Sequence, residues 1–252
     1  MSVPHPNEPI PAATLVMMRR GAEAPELLVM ERAVDMSFAA GAIVFPGGRV
    51  DCDDYRLAER IGDGIAHAAD RIAAIRETIE EVGIAAGMSG PIDSGTIGIV
   101  RRQLKAGKAF SDIAAEYELA FDLDALTPFA HWCPAHFSRR FDTKFFLAVA
   151  PADAPDPAAD GDEAVRAFWT TAGQLLAAAA ENSVQLIFPT RRNLERLAQF
   201  ASVEEAFADV DRFPMQLVVP WLEEREGRQF RCIPEAIGYP VTAEPDETAR
   251  RG

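Results

Sequence analysis

The sequence predicts an α/β domain, because short apolar runs that favour strands alternate along the chain with segments of helical periodicity. The clearest helix covers residues 68–82, where apolar side chains recur at spacings of three, four and three residues. These side chains belong to Ile72, Ile75, Ile79 and Val82. Gly83 follows at a position where helices often end with glycine. One face of this helix is therefore expected to pack on the core.

The remaining elements follow the same reasoning. Strands are predicted at residues 13–18, 26–32, 127–132, 141–149 and 164–169, and a further apolar run at 42–48 is stopped by Pro46 and two glycines. Helices are predicted at residues 98–120, 171–181, 191–200 and 203–210, with a short one at 55–61. We expect a flexible N-terminal arm at 1–12, a folded domain at 13–222 and an irregular tail at 223–252. Within the domain we expect an acidic insertion at 52–67 and a helical extension at 190–210.

Net charge, apolar runs and cysteine spacing argue against several classes of protein. The 252 residues carry 25 basic and 39 acidic side chains, a net charge of −14, which disfavours binding to nucleic acid or to an acidic membrane. We find neither a membrane-spanning apolar run nor a signal peptide. Cys52, Cys133 and Cys232 are too far apart to suggest a disulfide framework or a CxxC zinc site. These features predict a cytoplasmic protein.

Three carboxylates crowd one side of the helix at 68–82. Glu77, Glu80 and Glu81 stand at i, i+3 and i+4, a spacing at which like charges repel. A hard divalent cation such as Mg²⁺ or Mn²⁺ would relieve that repulsion, since it prefers oxygen ligands. An isolated cluster of this kind is more often a solvated acidic face. The preceding Arg76 and the tight FPGG turn at 45–48 favour a metal site here.

Together these residues resemble a known family signature. Gly47 and Gly48, followed by RETIEEVGI at 76–84, are similar to the Nudix box, G-x5-E-x7-R-E-U-x-E-E-x-G-U, in which U is a bulky aliphatic residue. The second half agrees except that Thr78 takes the place of U after Arg-Glu. The first half is longer, with 28 positions from Gly48 to Arg76 where the box has 14. The acidic residue of that half is therefore Asp54, Asp63 or Asp70, depending on where the insertion lies.

The resemblance implies a fold, a metal and a reaction. Nudix proteins are α/β/α sandwiches with a mixed sheet, and hydrolyse diphosphate linkages with the help of Mg²⁺ or Mn²⁺. It places Glu77, Glu80, Glu81 and the carbonyl of Gly47 around the metal, and gives Arg76 the role of orienting the glutamates. The general base is one of these glutamates or an acid from another loop, for which Glu163 is our candidate. A solvated loop residue is the alternative interpretation of Glu163.

The segment before the box is similar to that of the coenzyme A diphosphatase branch. LLVMERA at 27–33, Gly41 and FPGG follow its pattern, LLTxR[SA]x3Rx3Gx3FPGG, with Arg32 at the first arginine. Ser37 replaces the second arginine. The long insertion, and stretches at 129–148 and 191–207, resemble the acyl-CoA diphosphatases. The implied substrate-binding residues are Arg32, Phe45, Gly48, Arg139 and Arg140.

Other polar residues have ordinary structural interpretations. Arg140, Asp142 and Lys144 share a strand face, which suits either phosphate binding or a solvated surface. Arg191 and Arg192 are expected to begin a helix rather than to bind a phosphate. His131, Cys133 and His136 lack a fourth zinc ligand nearby and are expected at the edge of the core.

The sequence thus predicts a Nudix hydrolase acting on a small diphosphate substrate, with coenzyme A or an acyl-CoA favoured. Cleavage would give phosphopantetheine or its acyl form together with 3′,5′-ADP. NADH, ADP-ribose or another nucleoside-diphosphate derivative is the alternative substrate, and a nucleotide-binding module without activity is the alternative class. Nudix proteins are often dimers, so a homodimer stays open.

Overall fold

The protein is an α/β/α sandwich, described by a computed structural model for residues 8–36, 39–134 and 140–249. Its strands are β1 (Ile10–Arg19), β2 (Glu26–Arg32), β3 (Ile43–Val44), β4 (Gly47–Arg49), β5 (Thr127–Trp132), β6 (Phe141–Val149), β7 (Ala164–Thr171), β8 (Leu217–Val218), β9 (Trp221–Arg225), β10 (Arg228–Cys232) and β11 (Ala243–Pro245). Its helices are α1 (Cys52–Ile61), α2 (Ala68–Val82), α3 (Ser94–Lys105), α4 (Phe110–Glu116), α5 (Ala172–Ala180), α6 (Phe188–Leu197), α7 (Val203–Arg212) and α8 (Asp246–Ala249).

The main sheet is mixed, as predicted. Its strands run in the order β3-β2-β1-β6-β5-β8, with β4 paired to β1 and β7 paired to β2. The β1–β6 and β5–β8 pairs are parallel and the other pairs are antiparallel. Because β2, β4 and β7 meet near β1, residues distant in sequence are brought to one region of the sheet.

The main sheet separates two hydrophobic cores, one on each of its faces. One lies under α2, α3 and α4, and buries the predicted apolar face of α2 completely. The other lies under α5, α6 and α7. Along β2, Leu28 and Met30 face the first core, whereas Leu27 and Val29 face the second, because side chains alternate along a strand. This alternation decides which residues of β2 can reach α2.

Helix α2 begins and ends where the sequence predicts. Gly83 has φ of +72°, and its N–H donates to the carbonyl of Ile79, so it closes the helix in the left-handed conformation that glycine adopts without strain. Thr78 fills the aliphatic position of the box, and its hydroxyl donates to the Ala74 carbonyl at 2.7 Å. That internal hydrogen bond explains how a polar side chain is buried there.

The C-terminal segment differs from the prediction of an irregular tail. Strands β9, β10 and β11 form a second, three-stranded antiparallel sheet. Most of the side chains of β9 and β10 are exposed or half-buried, so the segment shows no alternation between apolar and polar residues. Helix α6 contacts the segment through polar groups: Arg192 pairs with Glu244 at 3.1 Å, and the Tyr239 hydroxyl donates to Asn193 Oδ1 at 2.8 Å. Ile233, Tyr239 and Ala249 are also buried in the core on the α5–α7 side.

Helices α6 and α7 lie close to the helices predicted at 191–200 and 203–210, and the start of the chain differs slightly from the prediction. Strand β1 begins at Ile10, three residues inside the proposed arm. The longer helix predicted at 98–120 is two helices, α3 and α4, separated at Gly107, which has φ of +77°. None of the helices in the described part of the chain combines the length and apolar character needed to cross a membrane.

Replacement of Arg192 by alanine tests the attachment of the C-terminal sheet. Arg192 is 1% exposed, and its removal leaves the buried Glu244 carboxylate without its cationic partner. We expect Arg192→Ala to lower the free energy of unfolding by about 3 kcal/mol or more, measured by urea denaturation. Arg191→Ala, at a half-buried neighbouring position, is the control. Equal losses of stability in the two variants would contradict this assignment.

Candidate active site

The FPGG turn and helix α2 lie against each other. The N–H of Gly47 donates to Glu81 Oε2 at 2.8 Å. A Cβ on Gly48 would lie only 2.4 Å from the Glu77 carboxylate, so a side chain at this position would displace Glu77. The two halves of the signature are therefore joined by direct contact between the turn and the carboxylates.

Arg76 organises this region from within the protein. Its Nε and Nη2 donate to the two carboxylate oxygens of Asp54 at 3.0 and 2.9 Å. Nη2 also donates to the Arg49 carbonyl, and Nη1 donates to Glu77 Oε1, both at 2.8 Å. Burial opposes the charge of Arg76, but these acidic partners together raise the pKa of the guanidinium above its usual value. One arginine thus joins α1, β4 and α2.

The structure selects Asp54 among the three acidic candidates of the first half-box. Asp54 is fully buried and accepts both hydrogen bonds from Arg76. Asp70 pairs instead with Lys144 at 2.9 Å, and Asp63 is exposed in a turn. Asp54 is the sixth residue after Gly48, so the extra residues lie between Asp54 and Arg76.

The carboxylates of α2 lie in a poorly solvated setting. Burial raises the pKa of Glu77 to about 7 and the pKa of Glu81 well above its usual value. Arg76 opposes the shift at Glu77, whereas the Glu77 charge adds to the shift at Glu81. Burial also raises the pKa of Glu80, whose side chain is 29% exposed. A cation placed here would favour the ionised form of all three carboxylates.

Glu81 provides the observation that tests whether a metal ion fits. Its Oε1 is buried and has no hydrogen-bond partner, which is costly for a carboxylate oxygen. In the described ranges, no three histidine, cysteine, aspartate or glutamate side chains already converge as a metal site. Nη1 of Arg76 lies 2.8 Å from Glu77 and 3.9 Å from Glu80. The donor set fits a hard cation that competes with Arg76 for these two glutamates.

Arg32 and Glu163 reach the same face of the sheet. Arg32 Nη2 lies 3.9 Å from Glu163 Oε2, and the positive charge of Arg32 lowers the pKa of Glu81. The negative charge of Glu163 raises the pKa of both Glu80 and Glu81. The Glu163 side chain is 55% exposed, as a residue at the mouth of a site would be. Arg32 and Glu163 are therefore grouped with the glutamates of α2.

The other residues singled out in the sequence lie elsewhere. Phe45, expected to contact substrate, is 3% exposed and packs in the core on the α5–α7 side. Arg140 directly precedes β6, and its carbonyl accepts a hydrogen bond from the N–H of Ile10.

Lys144 contacts the first turn of α2 through Asp70. Arg139, Ser37 and His136 fall outside the described residues.

His131 and Cys133 have the structural settings expected of them. The His131 ring pairs with Asp142 on the neighbouring strand β6. The backbone N–H of Cys133 donates to the carbonyl of Val218, and burial raises the pKa of its thiol. Burial disfavours the thiolate, the form in which cysteine acts as a nucleophile.

Sequence reasoning missed two basic side chains beside the site. Arg101 and Lys105 of α3 contact the last turn of α2 and the loop at 151–163. Their spacing of four residues on one helix, opposite the acidic loop at 160–163, is the signal that could have revealed them.

Comparison with known structures identifies the family. A crystal structure of a Nudix hydrolase from Alicyclobacillus acidocaldarius is 31% identical to this chain, with a TM-score of 0.70, and the match covers 80% of this chain and 96% of that one. The chain belongs to the Nudix hydrolase family. Members of this family are enzymes that act on pyrophosphate bonds. No protein-family model matches the chain.

Two curated relatives agree with this assignment. The acyl-coenzyme A diphosphatase NUDT19 of Gallus gallus is 27% identical over 237 residues, in a match that covers 71% of this chain and 63% of that protein. The Nudix hydrolase NudL of Cronobacter sakazakii is 31% identical over 115 residues, covering 43% of this chain and 56% of that protein. The Nudix chain thus spans less than two thirds of each curated relative.

Replacement of Asp54 by asparagine tests the buried ion pair. Because the Arg76 guanidinium would lose its buried carboxylate partner, we expect Asp54→Asn to lower the free energy of unfolding by about 3 kcal/mol. The matched control is Asp63→Asn, at the exposed acidic residue that the sequence alone could not exclude. Chemical denaturation measures both, and a larger loss at Asp63 would contradict the placement of the half-box at Asp54.

Proposed function

We propose that this Nudix protein hydrolyses a diphosphate linkage in a nucleotide derivative with the help of Mg²⁺ or Mn²⁺. The observation that carries the proposal is the unpartnered Glu81 Oε1, buried beside Glu77 at the Gly47–Gly48 turn. A buried carboxylate oxygen without a partner is costly, and coordination to a cation would offset that cost. Glu77, Glu80, Glu81 and the carbonyl of Gly47 would hold the ion.

A bound divalent ion would neutralise charge on the phosphoryl oxygens and lower the pKa of the attacking water. The protein's own residues do the rest. Arg76 holds Glu77 and is itself fixed by Asp54, so the position of Glu77 is restricted before an ion binds. Glu163, exposed at the mouth of the site, is our candidate to accept the proton of the attacking water. A glutamate of α2 is the alternative base.

We propose coenzyme A or an acyl-CoA as the substrate, cleaved to phosphopantetheine, or its acyl form, and 3′,5′-ADP. Two observations support this choice: the sequence pattern around Arg32, and the name of the Gallus gallus relative. Arg32 is 13% exposed and faces Glu81 and Glu163, so its guanidinium is placed to bind a phosphate at the site. We also propose that Gly48 contacts the substrate, because it lies in the turn that packs directly against the Glu77 carboxylate.

One alternative substrate class and one alternative function remain open. Ser37 takes the place of an arginine of the coenzyme A pattern, which leaves NADH, ADP-ribose or another nucleoside-diphosphate derivative as the alternative substrate for the same chemistry. A Nudix module that binds a nucleotide without cleaving it is the other alternative. The complete set of Glu77, Glu80 and Glu81 beside Arg76 favours catalysis, since such a buried acidic cluster is costly without a cation.

A product analysis separates these alternatives. The purified protein is incubated with Mg²⁺ or Mn²⁺ and with coenzyme A, acyl-CoAs, NADH or ADP-ribose, and products are identified by mass spectrometry. The proposal predicts 3′,5′-ADP, formed fastest from coenzyme A species and abolished by EDTA. Faster cleavage of NADH or ADP-ribose would replace the substrate assignment. Nucleotide binding without any cleavage would assign the protein to the non-catalytic class.

Removal of one carboxylate charge at a time tests the metal ligands. We expect Glu80→Gln and Glu81→Gln, made separately, each to lower kcat about 100-fold or more, because the loss of a ligand weakens charge stabilisation in the transition state. Glu59→Gln, at an exposed glutamate of α1, is the control. Circular dichroism checks that each variant is folded. Near-normal turnover in both site variants would refute the proposed metal site.

Replacement of Arg32 tests substrate binding. Because a guanidinium–phosphate hydrogen bond is lost in the Michaelis complex, we expect Arg32→Ala to raise the KM for the substrate about tenfold, with a smaller effect on kcat. Arg166→Ala is the matched control, since Arg166 pairs with Glu31 on the opposite face of the β2–β7 ladder. An unchanged KM in Arg32→Ala would remove Arg32 from the substrate site.

A further inference from the structure

Arg101 of α3 joins the helix that carries the glutamates to a loop on the other side of the site. Its Nε donates to the carbonyl of Glu80, and its Nη2 donates to the carbonyl of Glu81, both at 2.8 Å. These carbonyls lie in the last turn of α2, where helical N–H partners are lacking. Nη2 also donates to the carbonyl of Ala158 at 2.6 Å. The N–H of Ala158 in turn donates to the carbonyl of Val82, which completes the connection.

Lys105, one helical turn after Arg101, holds the same loop nearer to Glu163. Its Nζ donates to the carbonyl of Asp160 and to Asp162 Oδ2, both at 2.9 Å. Asp160 Oδ1 accepts the backbone N–H groups of Asp162, Glu163 and Ala164. The Asp160 carboxylate therefore fixes the backbone on which Glu163 is carried, and Lys105 fixes Asp160.

Arg101 acts on the backbone rather than on the acidic side chains of the site. Each of the three hydrogen bonds described above ends on a carbonyl oxygen of α2 or of the loop. Arg101 is half-buried, so its guanidinium is partly desolvated. A hydrogen bond from a partly desolvated cation is stronger than one made in water.

We propose that Arg101, assisted by Lys105, is a positioning residue that sets the separation between Glu80 and Glu81 on α2 and Glu163 on the loop. Arg101 and Lys105 together are called the clamp below. The inference rests on the proposed hydrolysis and assigns the clamp a part in it. Arg101 fixes the last turn of α2, from which the Glu80 and Glu81 side chains extend, and thereby supports metal binding. Lys105 fixes only the loop, and thereby supports the step that involves Glu163. A displacement of about 1 Å in such a group can lower a rate about 100-fold.

The test uses the full chain and two readouts. Mn²⁺ binding is measured by calorimetry without substrate, and kcat and KM are measured with the substrate that the unmodified protein cleaves fastest. We expect Arg101→Gln to weaken Mn²⁺ binding about tenfold. We also expect it to lower kcat about 10- to 100-fold, with a smaller change in KM. Arg102→Gln is the matched control, because it removes the same charge from an exposed position on the same helix.

Two further variants keep the inference testable if Arg101→Gln does not fold. Arg101→Lys retains the charge but cannot reproduce the planar fork of donors, so we expect Mn²⁺ affinity and kcat between those of the unmodified protein and Arg101→Gln. Lys105→Gln is expected to lower kcat with a smaller effect on Mn²⁺ affinity than Arg101→Gln, because the hydrogen bonds of Lys105 go to the loop of Glu163.

The outcomes separate this inference from the proposed function. If the unmodified protein cleaves a diphosphate substrate and the Arg101 variants match Arg102→Gln in Mn²⁺ affinity and kcat, the clamp is wrong and the function stands. A lower melting temperature with unchanged Mn²⁺ affinity and kcat would show a purely structural role and would also overturn the clamp. If the unmodified protein cleaves nothing, the proposed function fails, and so does the role of the clamp in it.

Discussion

The buried contact between Arg76 and Asp54 is the interaction on which the site depends. A guanidinium buried away from water is costly unless its donors are satisfied. Here they are satisfied by both oxygens of Asp54, by the carbonyl of Arg49 and by Glu77. Each partner comes from a different element, so this one side chain fixes α1, β4 and α2 relative to one another. The close approach of Gly48 to the Glu77 carboxylate follows from that arrangement.

The alternation of side chains between the two faces of the sheet brings further residues to the site. Successive residues of β2 face opposite cores, so Arg32 reaches the face of α2, whereas Glu31 pairs with Arg166 on the other face. Strand β7 lies beside β2, and the loop that leads into it carries Glu163. Residues more than 130 positions apart in the sequence thus meet around the carboxylates of α2. The position of the loop is secured from outside the sheet by α3.

Much of this could be predicted from the sequence, for identifiable reasons. Helix α2 was predicted from residue 68 to residue 82 because its apolar face is complete and Gly83 closes it. Sequence spacing left Asp54, Asp63 and Asp70 as alternatives, since only burial next to Arg76 distinguishes them. The prediction was wrong for the C-terminal sheet, because β9 and β10 are mostly exposed or half-buried and show no apolar periodicity. Arg101 was missed because hydrogen bonds to backbone carbonyls impose no pattern on the partner residues.

The central claim is that Arg76 and Asp54 hold Glu77, Glu80 and Glu81 ready for a divalent ion. The most direct measurement is a crystal structure of the protein with Mn²⁺, using anomalous scattering to locate the metal. The account predicts a peak about 2.1 Å from Glu81 Oε1, with Glu77 or Glu80 as a second ligand and the Asp54–Arg76 pair unchanged. An ion bound elsewhere, with Glu81 Oε1 still without a partner, would contradict the account.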